Sequence, residues 1–163
     1  MPQLDRDGVL ETPWPILAPD APLPADGPVL LDLARFQALD GSRNAPTGVV
    51  IDSKTPHDVL ATLAAQAATI AVRFLLFRDG RGFTLVRRLR ERHGYDGPIL
   101  VFGHVLPDQW QHLRRLGATG VILPDGAEFA PWQRAAERFG ETYQPAFADA
   151  RARPGVGLLP IAG

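Results

Sequence analysis

The sequence predicts an α/β protein with a four-stranded, mostly parallel sheet and flanking helices, either flavodoxin-like or half-barrel-like. Short apolar runs alternate four times with amphipathic segments along the middle of the chain, and this alternation is the pattern of βαβ units. The runs are continuously apolar, as expected for parallel strands that are covered on both faces. The links between them are short and contain glycine, proline and aspartate, which favour turns.

Length and composition indicate one globular domain with an appendage at either end. The 163 residues are 45% hydrophobic and 21% charged, with a formal net charge of −1, so global charge favours neither nucleic acid nor a membrane as partner. The chain has no cysteine, which excludes disulfides, thiolate catalysis and cysteine-ligated clusters. No cofactor motif or metal-ligand spacing is recognisable. The absence of a leader pattern and of a membrane-length apolar run predicts a cytoplasmic protein.

The chain divides into three predicted parts: an N-terminal arm (1–46), an α/β core (47–141) and a flexible tail (142–163). Asp-Gly turns between the apolar runs Val9-Leu10 and Val29-Leu30-Leu31 predict a small hairpin in the arm. A short helix is expected at Leu33–Leu39, and the arm's repeated prolines exclude a central strand there.

The core elements are predicted from the position of each apolar run. Four strands are expected at 48–51, 69–77, 98–102 and 120–123. Thr55 is predicted to cap a first helix that starts at Pro56. The second helix turns its leucines inward, and its outward residues are expected to be Arg87, Arg88, Arg90 and Arg92. Two further helices are expected from Pro107 to Gly117 and from Pro131 to Phe139.

The turn after the second predicted strand, Asp79-Gly80-Arg81-Gly82, is the sharpest local signal for a binding site. The glycines allow a tight turn, the following helix directs its positive end at the same place, and Arg81 offers a planar fork for an oxyanion. A purely structural alternative stays open, in which Asp79 caps the helix and pairs with Arg81.

The turn after the third predicted strand, His104–Gln109, is expected to meet the first one, because the carboxyl ends of parallel strands share one edge. His104 is a candidate catalytic acid–base group, with Asp79 or Asp108 orienting it. Gln109 joins Gly80, Arg81 and Gly82 as a candidate binding residue. The structural alternatives are a loop histidine and an aspartate that complements the helix dipole.

Arginines on the two central helices form a candidate partner surface, made of Arg87, Arg88, Arg114 and Arg115. If both helices lie on one face of the sheet, these side chains can dock an acidic protein. Solvation of the helix surfaces is the alternative. Nucleic acid is not expected, because no recognition motif is present and aromatic residues do not alternate with the basic ones.

The central segment resembles the bacterial family known as Domain of Unknown Function 934. The similarity lies in four stretches: 74–84 (FLLFRDGRGFT), 88–92 (RLRER), 103–109 (GHVLPDQ) and 114–117 (RRLG), with a looser likeness at 23–29. The family pattern differs from this chain at four positions, where a lysine, an aspartate, an arginine and a cysteine are usual. Those positions are here Leu76, His104, Pro107 and Leu116.

The resemblance implies a context in assimilatory sulfite reduction. Members are commonly encoded beside sulfite reductase and labelled as oxidoreductases, so sulfite reductase or another enzyme of sulfur assimilation is the implied partner, and a homodimer is left open. We therefore expect an accessory protein that binds a partner or a small oxyanion. The alternatives are an enzyme of sulfite reduction that uses His104, Asp79 and Asp108, and a receiver-like regulatory module.

Overall fold

A computed structural model of the chain describes residues 1–5, 13–39, 43–76 and 80–137. The strands are β1 (Gln3–Leu4), β2 (Val29–Asp32), β3 (Thr47–Asp52), β4 (Ile70–Phe74), β5 (Ile99–Gly103) and β6 (Gly120–Ile122). The helices are α1 (Leu33–Ala38), α2 (Leu60–Gln66), α3 (Arg81–Glu91), α4 (Pro107–Leu116) and α5 (Ala130–Glu137). The tail predicted at 142–163 and Phe139 lie outside the described residues. Within the described ranges, every helix is too short or too polar to span a bilayer.

The strands form one mixed sheet in the order β1-β6-β5-β4-β3-β2. Strands β2 to β6 run parallel, and only β1 is antiparallel to its neighbour. The predicted α/β class is therefore confirmed, but the described residues form a sheet of six strands instead of four. The four predicted strands are β3 to β6, and the N-terminal region supplies the other two.

The helices pack on one face of the sheet. Parallel strands follow one another in chain order without a reversal, and right-handed crossovers in a constant direction place all connecting helices on the same side. A flavodoxin-like sheet reverses its order, so the half-barrel alternative describes this topology better. The large core lies between helices and sheet and includes Leu31, Val72 and Val101 from strands and Leu63, Leu89 and Leu113 from helices.

The opposite face of the sheet has its own smaller core. Leu30, Ala71, Leu100 and Ile122 are buried there. Residues from the N-terminal region, Trp14 and Ile16, pack on this cluster together with Val50 and Phe102. This helix-free face is therefore covered in part by the segment that precedes β2.

The segment 14–17 connects opposite edges of the sheet. Gln3 of β1 receives a hydrogen bond from the Trp14 N–H at 2.8 Å and donates one to the Trp14 carbonyl at 2.5 Å. At the other edge, Leu30 of β2 donates to the Pro15 carbonyl at 2.8 Å and accepts from the Leu17 N–H at 2.9 Å. A flat six-stranded sheet would separate its edges by about 24 Å, whereas two residues span at most about 7 Å. The sheet is therefore curled, with the helix-free face concave.

The prediction of an N-terminal hairpin is wrong for Val29–Leu31. These residues form β2, which pairs in parallel with β3 as an integral strand of the sheet; Val9-Leu10 lies outside the described residues. The short helix expected after it is confirmed as α1. Asp32 caps this helix, because its Oδ1 accepts the Arg35 N–H at 2.9 Å.

Three further expectations are corrected by the structure. Thr55 does not cap a helix from Pro56: α2 begins at Leu60, and the Thr55 Oγ1 instead accepts the Asp52 N–H at 3.0 Å, closing the turn after β3. Strand β4 ends at Phe74, short of the predicted end at residue 77. Arg90, expected on the outer surface of α3, is only 7% exposed.

Candidate functional site

The carboxyl ends of β4 and β5 lie side by side at one edge of the sheet. Phe74 and Gly103 are paired in register, and the His104 N–H donates to the Phe74 carbonyl at 2.9 Å. Gly103 has a φ of +90°, and a Cβ there would lie 2.5 Å from the Phe74 oxygen. Glycine thus permits the close approach that brings the starts of α3 and α4 to one border.

The start of α3 carries the predicted glycines in two different environments. Gly80 and Arg81 are exposed, whereas Gly82 is buried. A Cβ on Gly82 would come within 2.5 Å of the Phe74 ring, so this position needs glycine for helix–strand packing. Gly80 has a φ of −64°, which any residue adopts. Asp79 lies outside the described residues.

The segment 104–109 presents His104 and Asp108 to solvent. Both side chains are exposed, and Asp108 lies in the first turn of α4, where a carboxylate complements the helix dipole. Gln109 is used locally, because its Oε1 accepts the Leu106 N–H at 3.1 Å. The structure therefore places the His104 backbone beside Phe74 at the end of β4 and gives Gln109 a capping contact.

A cavity of about 600 Å³ separates the start of α4 from α5. It is lined by Leu106, Pro107, Asp108, Pro131, Arg134 and Ala135. Asp108 and Arg134 of α5 therefore line the same cavity. The sequence alone offers no reason to pair these two opposite charges.

The four arginines of the predicted partner surface lie on two adjoining helices, since α3 and α4 contact each other. Arg87 pairs with Glu91 at 2.7 Å, and the Arg88 Nη1 lies 2.6 Å from Nδ1 of His57. Arg114 and Arg115 are half-buried and have interactions of their own. The four arginines therefore lie on neighbouring helices, but their guanidinium groups already interact in part with other residues of the protein.

Arg90 is a structural cation at the end of α3. It donates to the Gly117 carbonyl at 3.0 and 2.8 Å, to the Gly97 carbonyl at 2.8 Å, and to the Tyr95 carbonyl. Tyr95 is itself buried and donates to the Ala67 carbonyl at 3.2 Å. Burial raises the pKa of the Tyr95 hydroxyl above its usual range, and the positive charge of Arg90 opposes this shift in part.

Sequence reasoning missed Arg73, a cation on the helix-free face near the end of β4. It interrupts the run Ile70-Ala71-Val72 before Phe74 and is exposed. A charged residue inside an otherwise apolar strand is the signal that would have singled it out. Among the described residues, no group of three histidine, aspartate or glutamate side chains is placed to hold a metal ion.

These features define an α/β protein with a curled, mostly parallel sheet, helices on its convex face and polar turns at its carboxyl edge. The chain belongs to the family of bacterial proteins of unknown function called DUF934, whose model matches residues 48–153. The match covers β3 to β6 and both polar turns, in agreement with the resemblance carried by the central motifs. A search of curated proteins found no match to the chain.

Proposed function

We propose that this protein is a cytoplasmic accessory protein of assimilatory sulfite reduction that binds a small oxyanion at the carboxyl edge of its sheet. The observation that supports it best is the 2.9 Å hydrogen bond from His104 to Phe74. This bond joins the ends of β4 and β5, which supports a common border for the starts of α3 and α4. The family context of the central motifs supplies the chemical class of the ligand.

The proposed roles follow from the chemistry of the two turns. Arg81 is exposed at the first position of α3, where its guanidinium and the positive end of the helix dipole favour an anion. The exposed imidazole of His104 offers a ring N–H to an anion at the same border. Gly82 supports the arrangement indirectly, since it lets α3 pack against Phe74.

Thermal unfolding with added sulfite, sulfate or phosphate tests this proposal, because a ligand that binds only the native state raises the melting temperature. We expect sulfite to stabilise the full-length protein and Arg81→Ala to abolish the shift. Arg87→Ala is the matched control, since Arg87 is an exposed arginine on the same helix, paired with Glu91. Equal shifts in both variants, or none in the natural protein, would contradict an anion site at this border.

Docking of a partner such as sulfite reductase is a second proposal, favoured by the contact between α3 and α4. That contact places Arg87, Arg88, Arg114 and Arg115 on one layer of the molecule. We expect charge reversal of all four to weaken capture of sulfite reductase in a pull-down and to leave the sulfite shift unchanged. Retention of the enzyme by the charge-reversed variant would refute the docking surface without affecting the anion site.

A further inference from the structure

The concave, helix-free face holds a second cavity, separate from both sites above. Its volume is about 600 Å³, within the range of small-molecule sites. The residues that carry the argument line its walls: Gln3, Trp14, Val50, Arg73, Phe102 and Ile122. Val50, Arg73, Phe102 and Ile122 come from the carboxyl-terminal halves of β3, β4, β5 and β6, the usual end of parallel strands for ligands.

The walls of this cavity are largely apolar and are held in place. Trp14 and Phe102 provide partly exposed aromatic side chains, and both pack on the buried cluster that contains Leu100. Gln3 is 2% exposed and fixes the Trp14 backbone with two hydrogen bonds. Both aromatic side chains are therefore part of the fold, because the buried Gln3 amide holds Trp14 and strand β5 holds Phe102.

Arg73 places a guanidinium on this apolar wall. It lies in register between Asp52 of β3 and Phe102 of β5. The Asp52 Oδ1 accepts the Lys54 N–H at 2.8 Å instead. Among the described residues, none makes a hydrogen bond or ion pair with the Arg73 side chain.

The other charged groups that line the cavity have contacts elsewhere. The Asp32 Oδ1 caps α1 through the Arg35 N–H, and the amino terminus pairs with Asp125 at 2.9 Å. Among the described residues that line the cavity, Arg73 is therefore the cation whose hydrogen-bonding capacity is open to a ligand. Its planar fork matches a carboxylate or sulfonate.

We propose that this cavity binds a small organic anion that consists of an aromatic or branched apolar body and one acidic group. The acidic group would contact Arg73, and the apolar body would lie between Trp14 and Phe102. A bare inorganic anion would leave these apolar walls exposed to water. This site shares no residue with the sulfite site around Arg81, so either can fail without the other.

The chain carries its own reporter for this test. Of its three tryptophans, Trp110 and Trp132 are buried, at 2% and 8% exposure, while Trp14 lines the cavity. Full-length, ¹⁵N-labelled protein is titrated with 3-phenylpropionate and with its neutral analogue 3-phenylpropanamide. We expect a saturable shift of the Trp14 indole N–H signal, assigned with Trp14→Phe, and tighter binding of the carboxylate than of the amide.

Arg73→Gln tests the contribution of the positive charge separately from that of the apolar walls of the cavity. We expect it to weaken 3-phenylpropionate about tenfold, as for loss of a charged hydrogen bond, and to leave the amide unchanged. Arg92→Gln, an exposed arginine at the end of α3, should bind both probes as the natural protein does. A dispersed spectrum from each variant shows that the fold is intact.

Each of several results would overturn this proposal. They are the absence of a saturable Trp14 shift, equal affinity for the two probes, and unchanged carboxylate binding by Arg73→Gln. A shift confined to Trp110 or Trp132 would also overturn it, because these side chains belong to the core on the helix side.

Discussion

Arg90 joins α3 to two other parts of the protein through backbone carbonyls. Its guanidinium contacts the loop after α3 and the end of α4, at Tyr95, Gly97 and Gly117. Replacing it with alanine leaves those buried carbonyls without a donor. We expect Arg90→Ala to lower the free energy of unfolding by about 3 kcal/mol, measured by urea denaturation of the full-length chain.

Arg92→Ala is the control, since Arg92 is an exposed arginine two residues further on. Its effect should stay within about 0.5 kcal/mol, as for most surface substitutions. Equal losses in the two variants would mean that the buried hydrogen bonds of Arg90 add nothing to stability. The buried position could be foreseen, because Arg90 follows Val86 by four residues and so shares its face of the helix.

The buried Tyr95 hydroxyl should make the protein less stable at alkaline pH. Its pKa in the unfolded chain is near 10.0, and burial raises the pKa in the folded state. The stabilisation from the neutral hydroxyl is therefore complete below pH 10 and declines as the pH rises further. We expect Tyr95→Phe to lose about 1 kcal/mol at neutral pH through the bond to Ala67, and to show a weaker loss of stability above pH 10 than the natural protein. Parallel stability curves of the two proteins above pH 10 would refute this.

The contact between the ends of β4 and β5 depends on glycine at position 103. Gly103 and Gly126 both have positive φ, +90° and +79°, but only a Cβ at position 103 meets a neighbouring atom, the Phe74 oxygen. Gly126→Ala should cost about 1–2 kcal/mol from backbone strain alone. Gly103→Ala should cost more in urea denaturation and, if the sulfite proposal holds, abolish the sulfite-induced thermal shift. Equal costs would show that the close approach is relaxed easily.

The elements of the core were predictable because each carries its signal locally. The four continuous apolar runs, the proline at the start of α4 and the left-handed Gly117 at its end all act within a few residues. The role of β2 was not predictable in this way. Val29–Leu31 follows an Asp-Gly turn, which suggests a hairpin. Its actual partner is β3, and this pairing depends on the arrangement of all the strands in the sheet.

The candidate sites likewise have one feature that the sequence predicts and one that depends on the whole sheet. That the carboxyl ends of neighbouring strands meet follows from parallel topology, so the contact between Phe74 and His104 was predictable. Arg73 was not found, because its importance depends on which face of β4 the helices leave uncovered. Periodicity alone does not distinguish the two faces of a strand whose residues are almost all apolar.

The curled shape of the whole sheet depends on the segment that joins its two edges, and Gln3 is the residue that anchors it. Gln3→Ala removes both side-chain bonds to Trp14 and should lower the free energy of unfolding by about 2 kcal/mol. Because the segment also pairs with β2, we expect faster hydrogen exchange at the amides of Trp14, Leu17 and Leu30, and unchanged exchange at Val101 in the middle of the sheet. Gln37→Ala, on an exposed position of α1, should change neither quantity. Unaltered exchange at these three amides in Gln3→Ala would mean that the sheet holds its curvature without this anchor, and that the concave cavity owes its shape to the strands alone.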